Sequence, residues 1–292
     1  MQAKDFWLWL ILALLWGSSF LAIGVGVETI APRWLVAGRQ ILGTACLLLF
    51  LFLSGRNLQI GLYGWAIATL VGVTGNVAPY LLISYAEQQV DTGLAALLMG
   101  IAPAITLCLA PLFHAEEKIT PYNAAGCAMG FIGVVILVGP SAFFGIGDDI
   151  IPQGALILAA CCYALTALLS RRFIRADPVQ MSVASVTMSA VISTALCIAT
   201  PINATNISPA SLWALIYLGL GPTALSALIY FHLISRIGAG RVQQVNYVVP
   251  VVGVILGILL LNERPSLGTY LAIPLICISV YLVTRPSKTT AT

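Results

Sequence analysis

The chain has 292 residues, of which 60% are hydrophobic and only 8% charged, with a net charge of +3. A soluble domain carries about a quarter charged residues, so this balance excludes a soluble enzyme or binding module and makes the bilayer the solvent. The basic excess is accounted for by membrane topology, below, which leaves no nucleic-acid role to assign.

Crossing about 30 Å of hydrocarbon at 1.5 Å per residue takes roughly 18 to 23 apolar residues. Ten stretches meet that length, at 6–26, 33–54, 61–83, 93–113, 121–139, 152–172, 179–200, 211–233, 240–261 and 267–284. The first is too long and too poorly flanked for a cleavable signal, since Lys4 alone precedes it. Connections are a handful of residues each, the longest running from Pro140 to Pro152, and none has room for a soluble domain.

The first half recurs in the second, displaced by about 147 residues. Trp16 falls on Tyr163, Gly72 on Gly219, Tyr85 on His232, Gly93 on Gly240, Pro103 on Pro250 and Glu116 on Glu263. We therefore divide the chain into a five-helix repeat over 1–140, an inter-repeat loop over 141–151 and a second five-helix repeat with a short tail over 152–292. Two copies of an odd-spanning unit point opposite ways through a bilayer, so the expected fold is all-α, ten transmembrane helices in two inverted repeats. With the N-terminus inside, Lys4, Arg56, Lys118, Arg171, Arg172, Arg175, Arg236, Arg241, Arg285 and Lys288 are cytoplasmic, against Arg33 and Arg264 outside. Both termini are then expected in the cytoplasm. Glu28, Glu87, Asp91, Asp148, Asp149 and Glu263 fall at the opposite surface.

The two-times-five layout, the Trp16-Gly17-Ser18-Ser19 motif and the stretches ending Pro103 to Glu116 and Pro250 to Asn262-Glu263-Arg264 resemble the EamA-type members of the drug/metabolite transporter superfamily. Within it the chain looks most similar to bacterial amino-acid and metabolite exporters, among them the YddG group. The resemblance covers nearly the whole chain and implies a multi-pass protein of the bacterial inner membrane. It also marks Glu116 and Glu263 as recurrent positions, expected to latch the gates at helix ends.

Pro103 and Pro250 fall near the middle of the fourth and ninth spans, where each lacks an N–H and frees the carbonyl four residues back, at Met99 and Asn246. Broken helices in a bilayer line cavities, because a freed carbonyl must be satisfied. Gln243 and Asn246 precede Pro250 on one helix face, and Asn76 and Tyr80 are one turn apart in the third span. The expected substrate site is therefore Trp16, Asn76, Tyr80, Met99, Tyr163, Gln243 and Asn246, with Pro103, Pro250, Glu116 and Glu263 as hinges or gates. For each amide, hydrogen bonding between helices without substrate contact is the rival reading.

Arg39 is the one charge well inside a span, where a buried arginine marks a function, such as substrate contact, or a partnered structural role; about two turns from the outer end, it is also within reach of Glu28 or the interface by snorkelling. Gly126, Gly130 and Gly133 follow the spacing of closely packed helices, with oligomer contacts as the other reading. All seven cysteines lie inside spans without a CxxC, and with two histidines in the chain no metal site or cofactor is expected.

An intramembrane enzyme would need a serine and histidine or paired aspartates at depth, and a channel a repeated filter; neither pattern occurs. The expectation is an exporter of small neutral metabolites, amino acids first, with other metabolites or drugs as the alternative. Its partners are the small-molecule substrate and the lipid bilayer, and it works as a monomer or homodimer. No carboxylate is expected at membrane depth, so transport should need no proton coupling.

Overall fold

The computed structural model describes residues 1–90, 95, 98–113, 119–138, 150–198, 207–261 and 267–284, and the regular structure among them is entirely helical. The first half contains α1 (Ala3–Val27), α2 (Pro32–Leu53), α3 (Gly61–Gly72), α4 (Ala78–Ala86), α5 (Ala102–Phe113) and α6 (Pro121–Val138). The second contains α7 (Ile150–Phe173), α8 (Pro178–Ile198), α9 (Pro209–Leu218), α10 (Ser226–Ile237), α11 (Ala239–Gln243), α12 (Val245–Leu261) and α13 (Leu267–Thr284). Six continuous helices, Ala3–Val27, Pro32–Leu53, Gly61–Ala86, Ile150–Phe173, Pro178–Ile198 and Pro209–Ile237, are long and apolar enough to cross a membrane.

Two of these long helices share an irregularity that the apolar pattern conceals. A π-helical turn over Val73–Val77 joins α3 to α4, and another over Gly219–Leu225 joins α9 to α10. Pro79 and Pro222 lack the N–H that would bond the carbonyls of Gly75 and Leu218, and a widened turn absorbs the loss. The bonds lengthen accordingly, Ala78 N–H to the Val73 carbonyl and Ser226 N–H to that of Gly221. Both turns lie at the repeat displacement, so the bulge belongs to the repeat.

Both the fourth and the ninth spans have a helix interruption before the proline, which places Pro103 at a helix start in place of the expected mid-helix position and leaves Pro250 within a helix. Gly100 and Ile101 form a turn and α5 begins at Ala102, so Pro103 sits in the first helical turn, where a missing N–H costs nothing. In the ninth span Gln244 separates α11 from α12, and Pro250 lies inside the continuous α12. Gly238, at φ 83°, makes the turn between α10 and α11 that a side chain would resist. Glu116 and Glu263 lie outside the described residues.

Packing runs between the halves and is reciprocal. α1 lies against α9, α10 and α12, and its counterpart α7 against α3, α4 and α5. α2 pairs with α8, and α6 with α13. Contacts exchanged in this way are those of an internal two-fold relation. The glycines of α6 serve the last pair: a Cβ on Gly126 would come within 2.6 Å of Val283, and one on Gly130 within 2.5 Å of Ser279 Oγ. Their spacing is explained by close approach inside one chain.

Besides a small cluster around Leu47, Leu51 and Val183, two larger buried apolar clusters divide the interior. One, around Trp9, Leu12, Val71, Leu168, Met181 and Leu233, occupies the side of the N-terminus. The other, around Phe20, Ile23, Leu35, Ile83, Met99 and Tyr247, occupies the far side. Trp16 and Val248 pack against both.

Candidate functional site

Between the clusters lie two small adjoining cavities that share Trp16, Tyr80 and Tyr163 as walls. The larger, about 40 Å3, is lined by Asn76, Thr166, Thr223, Ser226, Tyr230 and Gln243 besides the shared residues. The smaller, about 20 Å3, adds Ser19, Phe20, Ile23, Arg39, Pro222 and Asn246. Each has room for only a few waters, so the site is contracted and a solute enters only as the helices part.

Aromatic rings form its centre. Trp16 and Tyr163, equivalent positions of the two repeats, stack with centroids 5.8 Å apart at 14°, and Tyr230 lies 5.9 Å from Trp16. The rest of the Trp-Gly-Ser-Ser motif builds the wall behind them. Gly17 lets α12 come close, since a Cβ there would lie 2.6 Å from Val252 Cβ. Ser18 shares a hydrogen bond with the Tyr217 hydroxyl of α9, and Ser19 donates to the Trp16 carbonyl at 2.7 Å.

The π turns present the polar groups. Asn76 Nδ2 donates to Ser189 Oγ on α8 at 3.1 Å, so this amide both lines the cavity and ties two helices. Thr166 donates to Thr74 at 2.7 Å across the α7 contact. Asn246 Nδ2 donates to Gln243 Oε1 at 3.4 Å, while the buried Gln243 Nε2 has no partner among the described residues. Of the expected site residues, Trp16, Asn76, Tyr80, Tyr163 and Gln243 line the larger cavity and Asn246 the smaller. Met99 does neither: it is 2% exposed within the far-side cluster. The helix does break beside it, at Gly100 and Ile101, but the Met99 side chain goes to the apolar core and not to the cavity.

Two charges depart from expectation. Arg39 does not snorkel to the interface; it is 2% exposed, donates from Nε to Thr223 Oγ1 at 3.0 Å and lies over the Tyr80 ring with Cζ 3.9 Å from its centroid. Glu87, which follows the span Gly61–Ala86, does not face solvent: both carboxylate oxygens are buried without a hydrogen-bond partner among the described residues. Burial pushes its carboxyl well above the usual range, with the Arg39 charge pulling the other way. The expectation of no buried carboxylate is therefore corrected. Glu87 does end a helix, but the end is covered.

The N-terminal side is fastened by charge. Arg236, near the end of α10, meets the buried Asp5 of α1 at 2.7 Å through Nε and reaches Gln2 Oε1 at 2.8 Å through Nη2. Trp9 Nε1 donates to the Arg241 carbonyl at 3.1 Å. Sequence reasoning missed these contacts, and also Thr166, Ser226 and Tyr230. One signal was available for Thr223, which stands at the repeat position of Asn76.

The EamA-like transporter family model matches the chain twice, over 4–139 and 152–285. The chain is 29% identical over 280 residues to the uncharacterized inner membrane transporter YedA of Escherichia coli, covering 94% of this chain and 88% of that one. It is 24% identical to the uncharacterized transporter YoaV of Bacillus subtilis, over 93% of each. A probable terminal-alkyne amino-acid exporter of Streptantibioticus cattleyicolor is also 24% identical, over 90% of this chain and 87% of the other. A solved crystal structure superposes with a TM-score of 0.81 across 97% of both chains at 22% identity, a likeness of fold. With its two matched repeats and its helical membrane architecture, the chain belongs to the EamA-like transporter family.

Proposed function

We propose that the protein exports small neutral metabolites, amino acids first among them, across the bacterial inner membrane by alternating access, with both termini cytoplasmic. The observation that carries this reading is the position of the cavity: it lies at mid-helix, is walled by equivalent residues of both halves, and is closed by a separate apolar cluster on each side. Parting one cluster while the other stays packed opens the cavity to one face at a time. Aromatic faces for a side chain and amides for a polar head suit a small amphipathic solute. The relative named as a probable amino-acid exporter points the same way.

The test is efflux. Cells expressing the protein and preloaded with labelled L-phenylalanine, L-leucine or L-threonine should lose label faster than cells with empty vector. Equal loss for every amino acid in a broad panel would refute the reading.

A further inference from the structure

Arg39 is the only charged residue among the described residues that lines either cavity. It sits in α2 about 10 Å from the end of the helix and is 2% exposed. A cation at such depth is costly unless an anion meets it. No described carboxylate is seen to do so directly: the ion pairs found among the described residues are Arg56 with Asp177 and Arg236 with Asp5. Glu87 is within electrostatic reach of Arg39 but forms no salt bridge with it.

The guanidinium is nevertheless held firmly. The bond from Nε to Thr223 and the close approach of Cζ to the Tyr80 ring hold it in place, and the hydrogen bond uses only the Nε edge. The two terminal amino groups, the fork that grips a carboxylate through paired hydrogen bonds, have no hydrogen-bond acceptor among the described residues. Arg39 lines the smaller cavity, which adjoins the aromatic cavity through the shared walls of Trp16, Tyr80 and Tyr163.

We propose that Arg39 is the receptor for a carboxylate on the transported solute. This rests on the transport reading and narrows it. The solute is a small molecule with a carboxylate at one end and a carbon skeleton that lies along Trp16 and Tyr163. Zwitterionic amino acids qualify, while amines, amides and other carboxylate-free solutes of the same shape do not. Sequence alone left Arg39 between substrate contact and snorkelling to the interface, and the inward turn of its side chain favours the first.

The experiment uses full-length protein in lipid nanodiscs with matched probes: L-phenylalanine, L-phenylalaninamide and phenethylamine. Binding is read by calorimetry, and flux of the same probes is measured separately in liposomes. The acid should bind at least about tenfold more tightly than the amide, the scale of a charge-assisted hydrogen bond. Arg39→Gln should abolish that preference and Arg39→Lys retain part of it. Since the ratio is taken within one preparation, it does not depend on the yield of folded protein. An Arg39→Gln/Glu87→Gln variant, which leaves neither charge buried alone, provides a second background for the same ratio. A wild-type protein that binds acid and amide alike or binds none of the probes, or an Arg39→Gln protein that keeps the preference, would overturn the inference. Absence of flux for every probe, with acid-selective binding intact, would instead overturn the transport reading and leave the receptor standing.

Discussion

Gly17 offers a sharp test of the packing behind the aromatic centre. In Gly17→Ala the new methyl would lie 2.6 Å from Val252 Cβ, 2.7 Å from its Cγ1 and 3.1 Å from the Val249 carbonyl oxygen. Carbon atoms rest about 3.5–4.0 Å apart, so α1 and α12 must separate by about 1 Å. Neither a Cβ nor a backbone carbonyl can swing aside. Overpacking of this kind costs about 1–3 kcal/mol, and the better helix propensity of alanine returns about 0.5–1 kcal/mol. The net loss lies between about 0 and 2.5 kcal/mol, and its midpoint of about 1.3 kcal/mol is a shift of roughly eightfold away from the contracted state. Gly24→Ala on the same helix is the control, since nothing lies within 4 Å of the added methyl, and it should gain about 0.5–1 kcal/mol. Thermal unfolding in detergent should therefore rank Gly24→Ala above wild type and Gly17→Ala below it. A cysteine at Ser19 in a cysteine-free background should be alkylated faster in the Gly17→Ala protein. If Gly17→Ala melts at or above wild type and labels at the same rate, the proposed contact between α1 and α12 is wrong.

Other expectations concern single groups. Asn246→Ala should weaken transport several-fold, the loss of a polar contact of about 1–2 kcal/mol, while leaving folded protein in the membrane; unchanged kinetics would make Asn246 a packing residue. Because the folded pKa of Glu87 is raised, the unfolded state loses its proton first as pH rises, so stability falls from about pH 4.5 upward until the folded pKa is passed. Melting curves across pH should show that decline in wild type and a smaller one in Glu87→Gln, and identical profiles would remove the buried carboxyl from the account. For topology, a cysteine at Thr29 should react with an impermeant reagent from outside and one at Gly55 should not; reaction of both from one side would contradict a cytoplasmic N-terminus.

The fold was legible because each span writes its length in apolar residues and because the repeat doubles every signal. Trp16 and Tyr163, matched by displacement alone, turn out to stack. What stayed hidden depended on orientation and on main-chain detail. Arg39 looked like a residue two turns from water, and only the packing of α2 against the π turn before α10 turns it inward to Thr223 and Tyr80. Glu87 looked exposed because helix ends usually are, but coverage of a helix end is a tertiary property. Pro103 misled for a related reason, and the sequence reading passed over Pro79 and Pro222. Pro103 starts a helix and Pro79 and Pro222 are absorbed by π turns, so three prolines in apolar runs have local solutions that a count of missing N–H groups does not distinguish.

Alternating access makes a claim about exchange that neither a channel nor an enzyme shares. In proteoliposomes with no imposed pH gradient, unlabelled L-phenylalanine trapped inside should accelerate entry of external label and drive its transient accumulation, because the loaded carrier returns its site to the outer face. Entry that is indifferent to trapped substrate and rises linearly with concentration would contradict the account.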